Sequence, residues 1–557
     1  MPLADRVRYT FIKHKEQPLF EFFSSSYPKT YSDELSPARD ENLEHAIKAE
    51  LVRYPSLGRK IVTYSQVHAW VMYLGRILER SSQTGDRIGV SLHDHAFWYT
   101  AEFSIVVFQR GAVGSYSGWS AQDIFDAWDM SQVSMVILDP MVLNKLIESQ
   151  LKWPDRIKKI VLMSENPVDS SLYSSLTDQV ELEPIVIDYF SSPPVDLKAA
   201  PIQEELVSKP FDENNPAVVI FTSGTSGGKP KGLVYSHENW NKSKPNYSPY
   251  SKISVHEPSW STGKHSVWGA FLSGGKISFI PPGSHLFEIN RMVRPDSAVF
   301  VPIQARELYT LYLDFLGKEK ERLSRRVNKP EVIKTKTDAQ LISFVRKHWP
   351  IKSKKQKEKR FKSKAINTPL DIDMQADINA IYYVYEYLLG GRVKTLTVGG
   401  AAVSTELLTF LKKLPCEIRE SYGQTESRGI LSNGYPTRGK EIKLVSLPDM
   451  GYSTADHPYP RGEIAVKSSG TMPESNWICD EAQRRTIEQR YTKDGFLLTG
   501  DIAELQPNGR YVIIDRVSSL QKLDNGKFIS PERIENVISP QSIELESGLS
   551  PRDVLSH

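Results

Sequence analysis

The chain has 557 residues, of which 39% are hydrophobic and 25% charged, and its formal net charge is +3. This composition is typical of a globular protein and excludes a disordered, collagen-like or membrane-bundle chain, and the length corresponds to about three to four domains or subdomains. The two cysteines, Cys416 and Cys479, exclude a disulfide framework and a four-thiolate metal site, and they favour a reducing compartment.

The N-terminal segment is charged and lacks the apolar core and small-residue cleavage site of a secretory signal. No run approaches the roughly 18 apolar residues of a membrane span. We therefore predict an intracellular protein, located in the cytoplasm or on the cytosolic face of an organelle membrane.

Helical and strand patterns alternate along most of the chain. Residues 65–78 carry apolar side chains at the spacing of an amphipathic helix, and Ser404 begins another such pattern with Leu407, Leu408, Leu411 and Leu414 on one face. Short apolar runs typical of buried strands lie at 88–92, 135–138, 160–163, 217–221 and 393–398. This alternation predicts an α/β fold with partly parallel sheets, and the short extended segments from about Gly439 predict a smaller β-rich unit.

Residues 317–364 hold the basic character of the chain, with 18 Lys and Arg against 5 Asp and Glu. The main interpretation is a solvated surface helix or loop. Peripheral contact of this segment with a membrane surface is the alternative, because basic clusters are attracted to anionic lipid. The segment has neither a recognition module nor interleaved aromatic residues, so we expect no nucleic-acid partner.

An apolar strand pattern at 217–221 is followed by a loop rich in glycine, hydroxyl and lysine residues, within AVVIFTSGTSGGKPKG (217–232). Glycines let backbone N–H groups approach phosphate oxygens, and lysines supply positive charge. The loop therefore predicts a polyphosphate site, with a flexible surface turn as the alternative. It is not a P-loop of the Walker type, because Lys229 is followed by Pro230.

Five stretches together resemble the adenylate-forming superfamily, which contains acyl-CoA synthetases, aryl-CoA ligases, luciferases and peptide-synthetase adenylation domains. In chain order they are TSGTSGGKPKG, GGAA (399–402), SYGQTES (421–427), LLTGD (497–501) and DRVSSLQKLDNGKFISPERIE (515–535). The sequences of residues 389–404 and of the last stretch are most similar to those of long-chain acyl-CoA synthetases. The resemblance implies a large adenylate-forming domain, which we divide into α/β subdomains at 1–205 and 206–435, a β-rich subdomain at 436–515, and a hinge with a truncated C-terminal stub at 516–557.

The resemblance assigns the ATP phosphates to the glycine-rich loop, with the ligands Thr222, Ser223, Gly224, Thr225 and Lys231. It assigns the adenine side to Gly400 and Ala401. It also implies the cofactors ATP, Mg²⁺ and coenzyme A, and a small-molecule carboxylic acid as the substrate.

The remaining assignments concern the adenosine, the metal and the chemistry. By the resemblance Tyr422 stacks on adenine, Thr425 contacts the α-phosphate and Glu426 holds Mg²⁺. Asp501 and Arg516 contact the ribose, and Lys522 contributes to thioester formation. Each has a structural alternative: Tyr422 as a core aromatic residue, Asp501 as a turn residue, Arg516 as a surface ion-pair partner and Lys522 as an exposed lysine.

Three features depart from the family pattern. The phosphate loop carries one extra residue before Pro230. Trp260 stands where long-chain synthetases have a histidine, and the surrounding WSTGKHSVWGAFL (260–272) resembles acetyl- and propionyl-CoA synthetases, where a tryptophan limits the acyl pocket. Only 41 residues follow Arg516, fewer than the roughly 50 of a folded domain, so the family's C-terminal lysine is expected to be absent.

The sequence therefore predicts an AMP-forming acid–thiol ligase. It would activate a carboxylic or fatty acid with ATP to an acyl-adenylate and then to acyl-CoA, releasing AMP and pyrophosphate. Thr425, Glu426 and Lys522 are the candidate catalytic residues and Trp260 the candidate acyl-pocket residue. The alternatives are a catalytically impaired nucleotide- or acyl-binding protein and an incomplete form of a normal enzyme; the length of the acyl chain is left open.

Overall fold

The computed structural model describes residues 1–22, 60–169, 173, 176, 180–194, 212–222, 230–242, 249–254, 256–280, 286–325, 372–468, 473, 476–522 and 528–529. The chain divides into two compact units. The first unit comprises Met1–Ala298, Glu386–Val393 and Asn476–Cys479, and the second comprises Val299–Tyr385, Lys394–Ser475 and Asp480–His557. The subdomain boundaries expected from the sequence stay predictions.

The helices of the first unit, in chain order, are α1 (Leu3–Lys13), α2 (Tyr64–Ser81), α3 (His95–Val107), α4 (Ala121–Met130), α5 (Pro140–Glu148), α6 (His237–Lys242), α7 (Ser261–Leu272) and α8 (Leu286–Val293). The helices of the second unit are α9 (Pro302–Ser324), α10 (Ile372–Tyr382), α11 (Thr405–Lys413) and α12 (Glu481–Glu488). A π-helical turn, Tyr383–Leu388, follows α10.

The strands up to residue 300 are β1 (Pro18–Phe22), β2 (Lys60–Thr63), β3 (Arg87–Ser91), β4 (Gly111–Gly114), β5 (Met135–Leu138), β6 (Lys159–Ser164), β7 (Glu181–Val186), β8 (Pro216–Thr222), β9 (Lys231–Ser236), β10 (Ser251–Ser254), β11 (Lys276–Phe279) and β12 (Ser297–Phe300). Later strands are β13 (Thr395–Gly399), β14 (Glu417–Gln424), β15 (Arg428–Ser432), β16 (Tyr435–Pro436), β17 (Glu441–Val445), β18 (Arg461–Lys467), β19 (Trp477–Ile478), β20 (Leu497–Leu505), β21 (Tyr511–Arg516), β22 (Gln521–Lys522) and β23 (Phe528–Ile529).

Within the described residues, the first unit is built on an eight-stranded sheet in the order β19-β9-β8-β4-β3-β5-β6-β7. Strands β3 to β8 pair in parallel, and β8 and β9 form an antiparallel hairpin. The β5 strand and its neighbours are apolar and buried on both faces, as expected for a sheet covered by helices. Strands β10, β11, β1 and β2 of the same unit also lie side by side: β11 pairs in parallel with β10 and with β1, and β1 pairs in antiparallel fashion with β2.

Polar residues just before the helices explain where several of them begin. Thr63 and Gln66 form a reciprocal capping box at the start of α2. The carboxylate of Asp139 accepts a hydrogen bond from the Val142 N–H at 2.9 Å at the start of α5. Each such cap satisfies a backbone donor that the first helical turn leaves without a partner.

The second unit contains two sheets that carry the candidate site. In one, β13 and β14 pair in parallel and β15 and β16 extend the sheet in antiparallel fashion. The other is a four-stranded antiparallel sheet in the order β17-β18-β20-β21, which corresponds to the β-rich segment expected after Gly439. A cluster of buried side chains packs between strands of these sheets: Ile430, Leu431, Ile464, Val466, Leu497 and Ala503.

The architecture confirms the predicted α/β class. Among the described residues, no helix combines the length and the apolar character needed to cross a bilayer. Most of the basic segment at 317–364, from residue 326 onward, lies outside the described residues, so its predicted surface or membrane role stays a prediction.

Candidate functional site

The predicted phosphate loop of the first unit is described only at its two ends. Thr222 ends β8 and Lys231 begins β9, and the two residues are register partners in the antiparallel hairpin. The Thr222 hydroxyl donates to the Lys231 carbonyl over 3.4 Å. The predicted ligands Ser223, Gly224 and Thr225 lie outside the described residues. The hairpin thus brings together the two flanking residues that the sequence assigns to phosphate binding.

The adenine-side residues follow β13 in the second unit. Gly400 has a φ of +92°, a conformation that L side chains rarely adopt. A Cβ atom on the preceding Gly399 would lie 2.3 Å from the Ser421 carbonyl oxygen, so glycine permits the close pairing of β13 with β14. Ala401 is exposed. The sharp turn therefore leaves the predicted adenine loop accessible.

Tyr422 and Asp501 meet in the second unit. Tyr422 lies on β14 and Asp501 on β20, and the Tyr422 hydroxyl donates to Asp501 Oδ2 at 2.7 Å. Burial and the adjacent Asp501 carboxylate raise the pKa of the Tyr422 phenol well above its ordinary value. Tyr422 also packs against the buried cluster of the unit. Tyr422 is therefore both a packing residue and a polar contact of Asp501.

Arg516 completes this group from β21. Asp501 and Arg516 are register partners of β20 and β21, and Arg516 Nε donates to Asp501 Oδ1 at 2.8 Å. The Asp501 side chain is 5% exposed, whereas that of Arg516 is 48% exposed. The carboxylate accepts hydrogen bonds at both oxygens, and these contacts fix its orientation.

Glu426 lies in the turn between β14 and β15 and is buried. Its Oε1 accepts a hydrogen bond from Arg490 Nη1 at 2.7 Å. In the part of the chain that the structure describes, Oε2 has no hydrogen-bond partner. Mg²⁺ is bound in many nucleotide sites by one or two carboxylates together with phosphate oxygens. Glu426 therefore fits the metal role as a single protein ligand, and Thr425, half-buried, lies beside it in the same turn.

Sequence reasoning missed the residues that link these carboxylates. Gln424 Nε2 donates to Asp501 Oδ2 at 3.0 Å and to the Thr499 carbonyl at 2.5 Å. Its Oε1 accepts from Arg490 Nη2 at 3.1 Å. Gln424 stands inside the SYGQTES motif and could have been found there, but Arg490 belongs to none of the five motifs.

A further missed carboxyl group supports the turn before Asp501. Glu463 is buried and accepts a hydrogen bond from the Gly500 N–H at 2.7 Å. Burial raises the pKa of the Glu463 carboxyl. Gly500 has a φ of +80°, so the Glu463 contact holds a turn that favours glycine.

The structure gives the positions of Lys522 and Trp260 but does not test their predicted roles. Lys522 lies in the short strand β22, and nothing is described of its side chain. Trp260, in the first unit, precedes α7 and is half exposed, with its ring centroid 6.0 Å from that of Tyr116. Both roles stay predictions. Among the described residues there is no cluster of three or more His, Cys, Asp or Glu side chains suited to hold a metal ion.

Comparison with known proteins places the chain in a family. The family model described as "AMP-binding enzyme" matches residues 41–474, which is more than half of the chain. The chain belongs to the AMP-binding enzyme family. Chains of this family activate acids by adenylation, as the ordered motifs predict.

Two relatives from Arabidopsis thaliana are peroxisomal long-chain acyl-CoA synthetases. Synthetase 7 is 30% identical over 354 residues, which is 59% of this chain and 45% of the relative. Synthetase 6 is 26% identical over 534 residues, which is 89% of this chain and 69% of the relative. The chain thus spans less than half of the first relative and about two thirds of the second.

A solved structure supports the fold. The A domain of carboxylic acid reductase from Segniliparus rugosus, solved in complex with AMP and a co-purified carboxylic acid, superimposes with a TM-score of 0.66. The superposition covers 96% of this chain and 78% of that domain at 20% identity. This likeness establishes the adenylation-domain fold.

Proposed function

We propose that this AMP-binding enzyme is an acyl-CoA synthetase. It activates a carboxylic acid, of the fatty-acid class, with ATP to an acyl-adenylate and pyrophosphate, and then transfers the acyl group to the thiol of coenzyme A with release of AMP. The observation that carries the proposal is the contact of Tyr422 and Arg516 with Asp501, which joins three separate motifs in one polar group.

The chemistry follows from the charges that develop. When the acid carboxylate attacks the α-phosphorus, negative charge grows on phosphate oxygens, and fixed donors of the chain stabilise that charge. A Mg²⁺ ion held by Glu426 would neutralise part of it. Glu426 is the proposed metal ligand, and Thr425 in the same turn is the proposed donor to the α-phosphate. Asp501 is proposed to orient the ribose by accepting hydrogen bonds from the ribose hydroxyl groups.

Lys231 and Thr222 are proposed to hold the β- and γ-phosphates together with Ser223, Gly224 and Thr225. Gly400 and Ala401 are proposed to border the adenine. Lys522 is proposed to act in the thioester-forming step, and Trp260 to limit the acyl pocket.

A second acceptor for the acyl group has a specific observation in its favour. The adenylation domain of a carboxylic acid reductase covers nearly the whole chain, and an acyl-adenylate made here could pass to an acceptor other than coenzyme A. Binding of nucleotide without catalysis has no comparable observation behind it.

Product analysis distinguishes these functions. The protein is incubated with ATP, Mg²⁺ and acids from acetate to long-chain length, with and without coenzyme A, and AMP and acyl-CoA are quantified by mass spectrometry. We expect acid-dependent AMP and acyl-CoA. Acid-dependent adenylate without acyl-CoA would favour the other acceptor, and no acid-dependent AMP with any acid would contradict the proposed function.

A further inference from the structure

Arg490 makes polar contacts with both halves of the candidate nucleotide site in the second unit. It follows α12 and precedes β20, and its backbone pairs with that strand: the Leu498 N–H donates to the Arg490 carbonyl at 2.7 Å. Arg490 Nε also donates to the Leu498 carbonyl, at 3.2 Å. Arg490 is therefore fixed to the strand that carries Asp501 three residues later.

The two remaining nitrogen atoms of the Arg490 guanidinium donate to the end of β14 and to the turn that follows it. Nη1 donates to Glu426 at 2.7 Å and Nη2 to Gln424 at 3.1 Å. A planar guanidinium presents its donors in a fixed fork, so it sets the relative orientation of two acceptors in a way that an ammonium does not. The Arg490 side chain is 28% exposed and that of Glu426 10%, so solvent weakens this arrangement little.

Gln424 extends the contact to the ribose side. Its amide oxygen accepts from Arg490, and its amide nitrogen donates to Asp501 at 3.0 Å. The chain of contacts therefore runs from Glu426 through Arg490 and Gln424 to Asp501. It connects the carboxylate proposed for the metal with the carboxylate proposed for the ribose.

We propose that Arg490 is a positioning residue that couples the orientation of Glu426 to that of Asp501 through Gln424. The inference rests on the proposed function for the roles of the two carboxylates. It adds that the metal side and the ribose side of the site respond together to a change at Arg490, which touches neither ligand.

The test compares Arg490→Lys with Arg490→Gln and with the control Arg485→Gln. Arg485 lies on the preceding helix α12, where its side chain is 75% exposed and 3.8 Å from Glu481. Arg490→Lys keeps the charge and loses the fork, whereas Arg490→Gln loses both. Binding of AMP without metal is measured by calorimetry, and binding of Mn²⁺ with a non-hydrolysable ATP analogue is measured by electron paramagnetic resonance.

We expect both Arg490 variants to weaken AMP binding about 5-fold, because a lost hydrogen bond loosens Gln424 and Asp501. We expect Mn²⁺ binding to weaken about 10- to 100-fold, as is typical when a residue supporting a metal ligand is changed. Arg485→Gln should change neither. Metal-free AMP binding equal to that of the control would overturn the coupling, because an isolated Glu426–Arg490 ion pair does not act on the ribose side.

A second measurement separates failure of the inference from failure of the proposed function. If the unaltered protein binds no AMP, the proposed function is wrong, and the coupling is read from a double-mutant cycle of unfolding free energies with Arg490→Lys and Asp501→Asn. Residues in one hydrogen-bond network give a non-zero interaction energy, whereas independent sites add. An interaction energy of zero would overturn the inference in either case.

Discussion

Two buried carboxylates, one in each unit, are paired with a cation but in different surroundings. Glu102 on α3 contacts Lys264 on α7, and both side chains are 0% exposed. The indole N–H groups of Trp98 and Trp268 donate to Glu102 at 3.0 and 2.5 Å. Each oxygen of this carboxylate therefore has a donor, and the pair is sealed between two helices.

The pair in the second unit is less enclosed. Arg490 covers one oxygen of Glu426 and keeps 28% of its side chain exposed, and Asp501 nearby contacts the half-exposed Arg516. An enclosed ion pair whose oxygens all have donors acts on the fold, because no ligand reaches it. A carboxylate with an oxygen that no described donor engages has capacity left to bind a ligand. Between Glu102 and Glu426, the number of oxygens engaged by donors, rather than the presence of an ion pair, separates the structural carboxylate from the proposed metal ligand.

Breaking the enclosed pair should have the largest effect. Glu102→Gln leaves the Lys264 ammonium buried without a counter-charge, and we expect the free energy of unfolding to fall by about 3–5 kcal/mol. Chemical denaturation measures the loss. Glu181→Gln is the control, because Glu181 pairs with Lys159 but is 67% exposed, and we expect it to cost less than about 1 kcal/mol.

The double variant Glu102→Gln with Lys264→Met strengthens this test. Replacing a buried pair by uncharged groups removes the unpaired charge, so part of the lost stability should return. Equal losses for Glu102→Gln and the exposed control would show that the enclosed pair has no special structural role.

Removing the open carboxylate should affect activity rather than stability. Glu426→Ala is expected to lower acid-dependent ATP turnover at least about 100-fold, because the metal loses its protein ligand. The melting temperature should change little. Glu420→Gln, on the preceding strand β14, is the control, since Glu420 pairs with Arg510 at 3.4 Å outside the proposed site. Unchanged nucleotide affinity and turnover in Glu426→Ala would argue against the metal assignment.

Trp260 tests the acyl side of the proposal, with a moderate expected effect. Trp260→Gly removes a bulky indole from a proposed pocket wall, and the ratio of turnover with long-chain acids to turnover with acetate should rise about 10-fold. Trp260→Phe keeps an aromatic wall and serves as the control. A chain-length profile that does not change would remove Trp260 from the pocket.

Two lysines, the half-buried Lys440 and the buried Lys264, extend the comparison to pH, with the smallest expected effect. Burial lowers the pKa of Lys440 to about 8, and its amine donates to the Ser427 carbonyl and the Ser468 hydroxyl. Burial also lowers the pKa of Lys264, but that ammonium contacts Glu102. Among the described residues, Lys440 has no carboxylate partner.

The sign of the pH effect at Lys440 follows from this. Between pH 8 and 10.5, the ordinary pKa of a lysine, the unfolded chain binds more protons at this lysine than the folded chain, so stability rises with pH. We expect the free energy of unfolding of the unaltered protein to rise by less than about 1 kcal/mol across this pH window, because solvent reaches part of the amine. Lys440→Met should abolish this rise. Unfolding free energies at pH 8 and 10 measure it. The same gain in the variant would exclude Lys440 as the cause.

The fold was predictable where local pattern determines structure. The run at 135–138 is the strand β5, and the pattern at 65–78 lies within α2, which the structure extends to Tyr64–Ser81. Periodicity identifies the buried face of a helix, but the ends depend on caps such as the Thr63 capping box. Ser404 was found from the sequence because its capping side chain is itself a local signal.

The candidate site was predictable only where motifs carry it. Tyr422, Asp501 and Arg516 come from three quoted motifs, and the structure brings them together. Arg490 lies 64 residues from Glu426 in sequence and outside every motif, so its contact arises from tertiary packing and not from local pattern. The same holds for Glu102 and Lys264, which are 162 residues apart.

Acid-dependent exchange of labelled pyrophosphate into ATP tests the central claim most directly, because it reports formation of the acyl-adenylate and requires neither coenzyme A nor any other acyl acceptor. The unaltered protein and Glu426→Ala are compared with Mg²⁺ and acids from acetate to long-chain length. The proposed site predicts exchange that depends on the acid in the unaltered protein and is lost in the variant at unchanged thermal stability. A well-folded protein with no exchange for any acid, or equal exchange in the variant, would contradict it.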